Sequence, residues 1–137
     1  MAKRWKAGGI PFYWNAATDT VRVCLVTSTN EMFGGPDPQI AKGEAEKGEL
    51  PEDTAMREMS EETGINPNNV IASVKLGKIE KKSYTLFVFG YDVLHEVPCI
   101  PNWEAVGHWY DIKEAAKLIR GDQQVMLNAL MAELKVT

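Results

Sequence analysis

Glu49, Arg57, Glu58, Glu61 and Glu62 lie close together in one acidic stretch, and their spacing could serve chemistry. Leu50–Thr63 reads as a helix. Pro51 suits its first turn, where an N–H would have no intrahelical partner. Glu52 and Asp53 favour the positive end of the helix dipole, and Gly64 followed by Ile65 suits a left-handed cap closed by an apolar contact. At about 100° per residue, with Glu58 set to zero, Glu61 falls near −60° and Glu62 near +40°. The three carboxylates therefore share one face. Ala55, Met56, Met59 and Thr63 form a neighbouring apolar face able to pack on a sheet. Like charges at these spacings destabilise a helix by ~0.2–0.5 kcal/mol per pair. One reading is a plain solvated acidic face that tolerates the repulsion. The other is a hard-oxygen site whose divalent cation, Mg²⁺ or Mn²⁺, removes it.

Other elements must carry this helix. Lys6–Trp14 and Thr20–Ser28 read as strands joined by the polar turn "NAATD", and alternation along Val21–Val26 predicts one well-buried face. Asn30–Pro38, with two glycines and two prolines, reads as loop, and a short strand is expected at Gln39–Ala41. Asn69–Ile79 and Ser83–Val93 resemble a hairpin around the charged turn "EKK". Ala105–Ile112 reads as a further strand, and amphipathic helices are expected near Lys113–Ile119 and Asp122–Lys135. Strands, a helix, strands and then helices do not make the regular βαβ alternation of a doubly wound sheet. They indicate an α+β domain with a mixed or antiparallel sheet.

The totals agree with one domain over residues 1–137 and a normal core. Net charge is −4 and no long basic run exists, which argues against duplex nucleic acid as a partner. Two cysteines, Cys24 and Cys99, far apart in sequence, are too few for a disulfide framework, and a reducing compartment, the cytoplasm, is expected. Cys24 reads as a small core residue. The basic start leads into no apolar run, so it is not a secretory signal. With no stretch of about 20 apolar residues, no membrane association is expected.

Written out, Gly43, five residues, Glu49, seven residues and then Arg57–Ile65 resembles the Nudix box, G-x5-E-x7-R-E-U-x-E-E-x-G-U, where U is a bulky apolar residue. All seven fixed letters match and Met59 and Ile65 fill the apolar positions. A chance match at a given position is on the order of one in 10⁸ at average residue abundances. The resemblance implies an α/β/α sandwich around a mixed sheet and hydrolysis of phosphoanhydride bonds in nucleotides, with Mg²⁺ or Mn²⁺ as cofactor. It implies that Glu61 and Glu62 are the main metal ligands and that Glu58 is a ligand or the general base. By the same resemblance, Arg57 orients the carboxylates, Glu49 and Gly64 are structural, the Lys42 carbonyl is a further ligand, and Gly43 lets the backbone approach metal and phosphate. A carboxylate outside the box often completes such sites: Glu104 is the candidate ligand or base, with Glu96 second, and for each the alternative is a surface loop residue.

The chemistry is coherent, because metal offsets the charge of a pyrophosphate link and activates water, and a nearby carboxylate takes the proton. "QIAKGEAEKGE" and "KAGGIPFY" resemble the Ap4A-hydrolase-like members, although Ala41 stands where a proline is usual. A dinucleoside polyphosphate is therefore the leading substrate. A MutT-like reaction giving a nucleoside monophosphate and pyrophosphate is the alternative, as are other nucleotide substrates such as sugar nucleotides and a catalytically silent nucleotide-binding module. Lys81 and Lys82 could hold distal phosphate and Tyr84 could stack on a base, or they form a polar turn and a half-buried strand. Trp109 reads as core, and His95 and His108 as non-catalytic. A monomer or homodimer is expected.

Overall fold

The computed structural model describes residues 4–29 and 37–136. Most of the expected loop at Asn30–Pro38 lies outside the described residues. Six strands form one mixed sheet. The strands are β1 (Arg4–Asn15), β2 (Thr20–Ser28), β3 (Ala41–Glu44), β4 (Val70–Glu80), β5 (Tyr84–Val93) and β6 (Ala105–Asp111). The spatial order is β4-β5-β1-β2-β6, with β3 paired to β1. β1 is the hub. One edge runs parallel to β5 from Arg4↔Tyr84 to Phe12↔Asp92, and the other is shared antiparallel between β3, at Lys6–Gly9, and β2, at Phe12–Asn15. The turn between β1 and β2 is closed by side chains: Asn15 Oδ1 accepts from the Ala17 N–H, and Trp14 Nε1 donates to Asp19, the local bonding that suits Asn and Asp to turns.

Three helices cover the sheet: α1 (Pro51–Thr63) on one face, and α2 (Ile112–Leu118) with α3 (Gln124–Leu134) on the other. On the α2/α3 face, Ile10, Phe12, Val23, Leu25, Leu86 and Val88 meet Ile112, Leu127 and Leu130. On the opposite face Ala55 and Met59 of α1 pack with Ala7, Tyr13, Phe89 and Tyr91. The result is an α/β/α sandwich. Covering both faces explains one departure from the sequence reading: Val23, Cys24, Leu25 and Val26 are all buried, so the alternation expected of a half-buried strand does not apply.

A second departure concerns β3. The strand expected at Gln39–Ala41 instead spans Ala41–Glu44, and Gln39 makes only an isolated bridge to Val26. Pairing with β1 selects the later residues and places Gly43 in a strand rather than a loop. At the C-terminus, Gly121–Gln123 forms a separate 3₁₀ turn before α3, which shortens the helix expected from Asp122. No helix among the described residues is long and apolar enough to cross a membrane.

Candidate active site

α1 forms where proline and acidic residues begin it and glycine ends it. The Leu50 N–H donates to Asp53 Oδ2 at 3.0 Å, closing the first turn. Gly64, at φ 77°, ends the helix by donating to the Ser60 carbonyl at 2.9 Å. A Cβ on Gly64 would lie 2.6 Å from Ile100 Cβ, so glycine is required here for backbone conformation and for space. Ala55, Met59 and Thr63 are buried, as the helical wheel predicts. Their burial turns Glu58, Glu61 and Glu62 toward β3 and solvent.

Arg57 organises the N-terminal half of the site. Its Nε and Nη2 donate to Glu49 at 2.9 and 3.0 Å, a two-pronged pair, and Nη2 also donates to the Glu44 carbonyl at 2.9 Å. Glu49 is satisfied beyond this pair. It accepts from the Glu46 N–H at 2.7 Å and the Thr54 hydroxyl at 2.9 Å. The Arg57 guanidinium, with these further donors, holds the Glu49 carboxyl down to about 2, as expected when hydrogen bonds favour the charged form. In turn the Glu49 hydrogen bond holds Arg57 well above the usual guanidinium range. Thr54 carries no charge and lies outside the fixed letters of the box, so its role was missed in the sequence. Its only signal is a hydroxyl in the helix turn that follows Glu49.

The C-terminal half is the opposite case. Arg57 Nη1 donates to Glu58 at 2.9 Å and reaches Glu61 at 3.3 Å. Even so, burial pushes Glu58 up, and burial with the neighbouring Glu58 charge pushes Glu62 up to about 8. Lys42 is too weakly coupled to restore balance: burial lowers the Lys42 ammonium, and its Nζ donates to Gln39 Oε1 at 2.9 Å. Gly43 lies over the Glu58 carboxyl, where a Cβ would come within 2.3 Å of the carboxyl carbon. Glu61 is half-exposed. Among the described residues, no three acidic, histidine or cysteine side chains are close enough to cage an ion. Glu58 and Glu61 share Arg57 Nη1, and Glu62 pairs with Glu58.

This donor set fits a divalent cation. It is all oxygen, the choice of Mg²⁺ and Mn²⁺. The glycine cradle over Glu58 leaves room, and the raised Glu58 and Glu62 lack the positive charge that a cation supplies.

Other candidates fall in different places. The segment between β5 and β6 clamps the end of α1: the Ile100 N–H donates to the Thr63 carbonyl at 2.9 Å and Asn102 Nδ2 to the Glu61 carbonyl at 2.7 Å. Glu104 lies on the same segment. Its N–H donates to Asn102 Oδ1 at 2.7 Å and its carbonyl accepts from the Thr29 N–H at 2.9 Å. Asn102 thus links Glu104 to the box helix, a role that sequence reasoning missed because the partners lie 41 residues apart. Glu96 is instead engaged by Arg22 at 2.9 Å. Lys81 pairs with Asp122, Lys82 is exposed, and Tyr84 packs at the core edge with Lys6 Nζ 4.5 Å from its ring centre. Trp109 is half-buried, donating to the Val97 carbonyl at 2.8 Å and meeting Tyr13 edge-on. His95 and His108 are exposed.

The comparisons with known proteins agree with this geometry. No curated protein matches the chain in sequence. In structure it is similar to a Caenorhabditis elegans Ap4A hydrolase, with TM-score 0.77 and 15% identity over 98% of this chain and 99% of that one. It is also similar to a MutT from work on Aliivibrio salmonicida and Vibrio cholerae (TM-score 0.72, 17% identity, 96% and 99% covered). The NUDIX domain of Shewanella oneidensis NrtR, complexed with ADP ribose, aligns over 100% of this chain and 90% of that one, with TM-score 0.69 and 14% identity. These identities establish likeness of fold. The NUDIX domain model matches residues 11–130, which span the sheet apart from the first half of β1, α1 with its complete box, and most of α3. The chain therefore belongs to the Nudix family and is a hydrolase acting on phosphoanhydride bonds.

Proposed function

We propose that the protein is a metal-dependent pyrophosphohydrolase of nucleotides, with dinucleoside polyphosphates such as Ap4A as its preferred substrates. The observation that carries the reading is the under-compensated Glu58–Glu62 pair, with Glu58 beneath Gly43, beside a carboxylate–arginine brace. Glu58, Glu61, Glu62 and the Lys42 carbonyl would hold Mg²⁺ or Mn²⁺, which would neutralise phosphate charge and activate water. Arg57 fixes the direction of Glu58. Glu58 or Glu104 accepts the proton as water adds to phosphorus and the bridging P–O bond breaks. Two phosphate-terminated products leave. The likeness to an Ap4A hydrolase over nearly the whole of both chains, and the Lys42–Gly43 entry to the box, support the choice of substrate. Lys81, Lys82 and Tyr84, at the turn between β4 and β5, are proposed to meet the distal phosphates and base.

The test is a panel of dinucleoside polyphosphates, nucleoside triphosphates and nucleotide sugars, incubated with Mg²⁺ or Mn²⁺ and resolved by chromatography. AMP with ATP from Ap4A is the expected result. Pyrophosphate release from triphosphates alone would assign the MutT-like reaction. No turnover of any compound by folded protein would leave a silent binding module.

A further inference from the structure

The two cysteines, 75 residues apart in sequence, bring their sulfurs to 3.4 Å from each other. Both are free thiols. Cys24 lies on β2 and is fully buried, whereas Cys99, in the segment between β5 and β6, is half-buried and within reach of a small solute. Gly107 of β6 makes the meeting possible. A Cβ there would lie 2.8 Å from the Cys99 sulfur and 3.0 Å from that of Cys24. The two sulfurs also differ. The contact with Cys24 lowers the Cys99 thiol, while the same contact and burial raise Cys24. The difference in burial assigns the roles: Cys99, only partly buried, is the attacking thiol and the buried Cys24 the resolving one.

We propose that Cys24 and Cys99 form a reversible oxidation site, converted by a hydroperoxide into an intramolecular disulfide. The Cys99 thiolate attacks one peroxide oxygen, the O–O bond breaks, and water leaves with Cys99 as a sulfenic acid. The Cys24 sulfur then attacks the Cys99 sulfur, the S–O bond breaks, and a second water leaves. The dithiol loses two electrons and two protons, and hydrogen peroxide is reduced to water. In a reducing compartment such a bond is transient, as cytosolic disulfides that sense redox state are. Its consequence is local. Cys99 precedes Ile100, whose N–H holds the Thr63 carbonyl, and Asn102 holds the Glu61 carbonyl. Oxidation therefore fastens the clamp at the end of the box helix to strand β2 of the sheet. The proposal does not depend on which nucleotide the enzyme cleaves.

The full chain, fully reduced, would be exposed to hydrogen peroxide and followed by intact mass and by thiol titration after denaturation. The expected wild-type result is loss of the mass of one hydrogen molecule, a fall from two free thiols to none, and full reversal by dithiothreitol. The disulfide should raise Tm by about 5 °C or more, because it closes a long loop in the unfolded chain. Cys99→Ser should give no such mass loss and no such rise. Retention of both thiols, stepwise gain of oxygen mass, or coupling only between two copies of the chain would overturn the proposal. These outcomes are read on the wild-type protein, so a poorly folding variant does not blunt the test.

Discussion

The two halves of the box treat their carboxylates in opposite ways. Around Arg57, Glu49 accepts from a guanidinium, a hydroxyl and a backbone N–H, and its carboxyl is held at about 2. One turn further on, Glu58 and Glu62 face each other with too little positive charge, and both are raised. Both halves consist of glutamates in the same motif. What separates them is whether the chain supplies the compensating charge itself or leaves it to a ligand. A saturated carboxylate is structural, because any change costs an existing bond. An under-compensated pair costs stability in the free protein and gains its use when a cation arrives.

Substitutions can break this contrast at either end. The largest effect should come from Glu62→Gln, expected to lower kcat by about 10²–10⁴-fold or more while leaving Tm unchanged or raised, since it removes the cost of burying the carboxylate and, second, the repulsion from Glu58. Steady-state kinetics at saturating Mg²⁺ and a melting curve would check it; retained activity would remove Glu62 from the metal site. Glu61→Gln should likewise cut activity by orders of magnitude with the fold intact.

Gly43→Ala is expected to reduce activity by about 10–100-fold, because its Cβ meets the Glu58 carboxyl and even small misplacement of a reacting group is costly. Unchanged kcat/KM would mean that the cradle has no part in the reaction.

Glu49→Gln should act mainly on stability, and its pH dependence has a definite sign. Glu49 has its carboxyl lowered from 4.5 to about 2 in the folded state. Its contribution is therefore complete above about pH 4.5 and is lost as pH falls through about 2. Denaturant melts of the wild type and Glu49→Gln should differ most near neutrality and converge in acid. A gap that widens in acid would contradict the brace. The smallest effect on activity is expected from Asn102→Ala, which removes the hydrogen bond to the Glu61 carbonyl and those from the Glu104 and Ala105 N–H groups and should cost about 1–3 kcal/mol of stability, with kcat changed only a few-fold.

The sequence made the helix legible for a physical reason. Pro51, the acidic first turn, the apolar face and Gly64 are local signals, and local signals fix α1 within a residue. Fixed spacing likewise revealed the box carboxylates and Arg57. The rest depends on distant pairing. β3 begins two residues and ends three residues later than expected because its register comes from β1, not from its own composition. Asn102 and the Cys24–Cys99 meeting were invisible because each joins residues far apart in the chain. Thr54 was missed because a helix wheel records which face a residue takes, not which hydrogen bond it donates.

The parallel pairing of β1 with β5 also bears on how the molecule is made. Arg4 finds its partner at Tyr84, 80 positions later, and contacts so distant in sequence form slowly. A growing chain releases the whole of α1 before β5 has been synthesised. Until then, the sheet that supports the box helix lacks its central pair, and Met59 has no complete surface to pack against. The face proposed to bind metal should therefore mature late, with amides of β1 and β5 gaining protection together in pulsed hydrogen exchange during refolding.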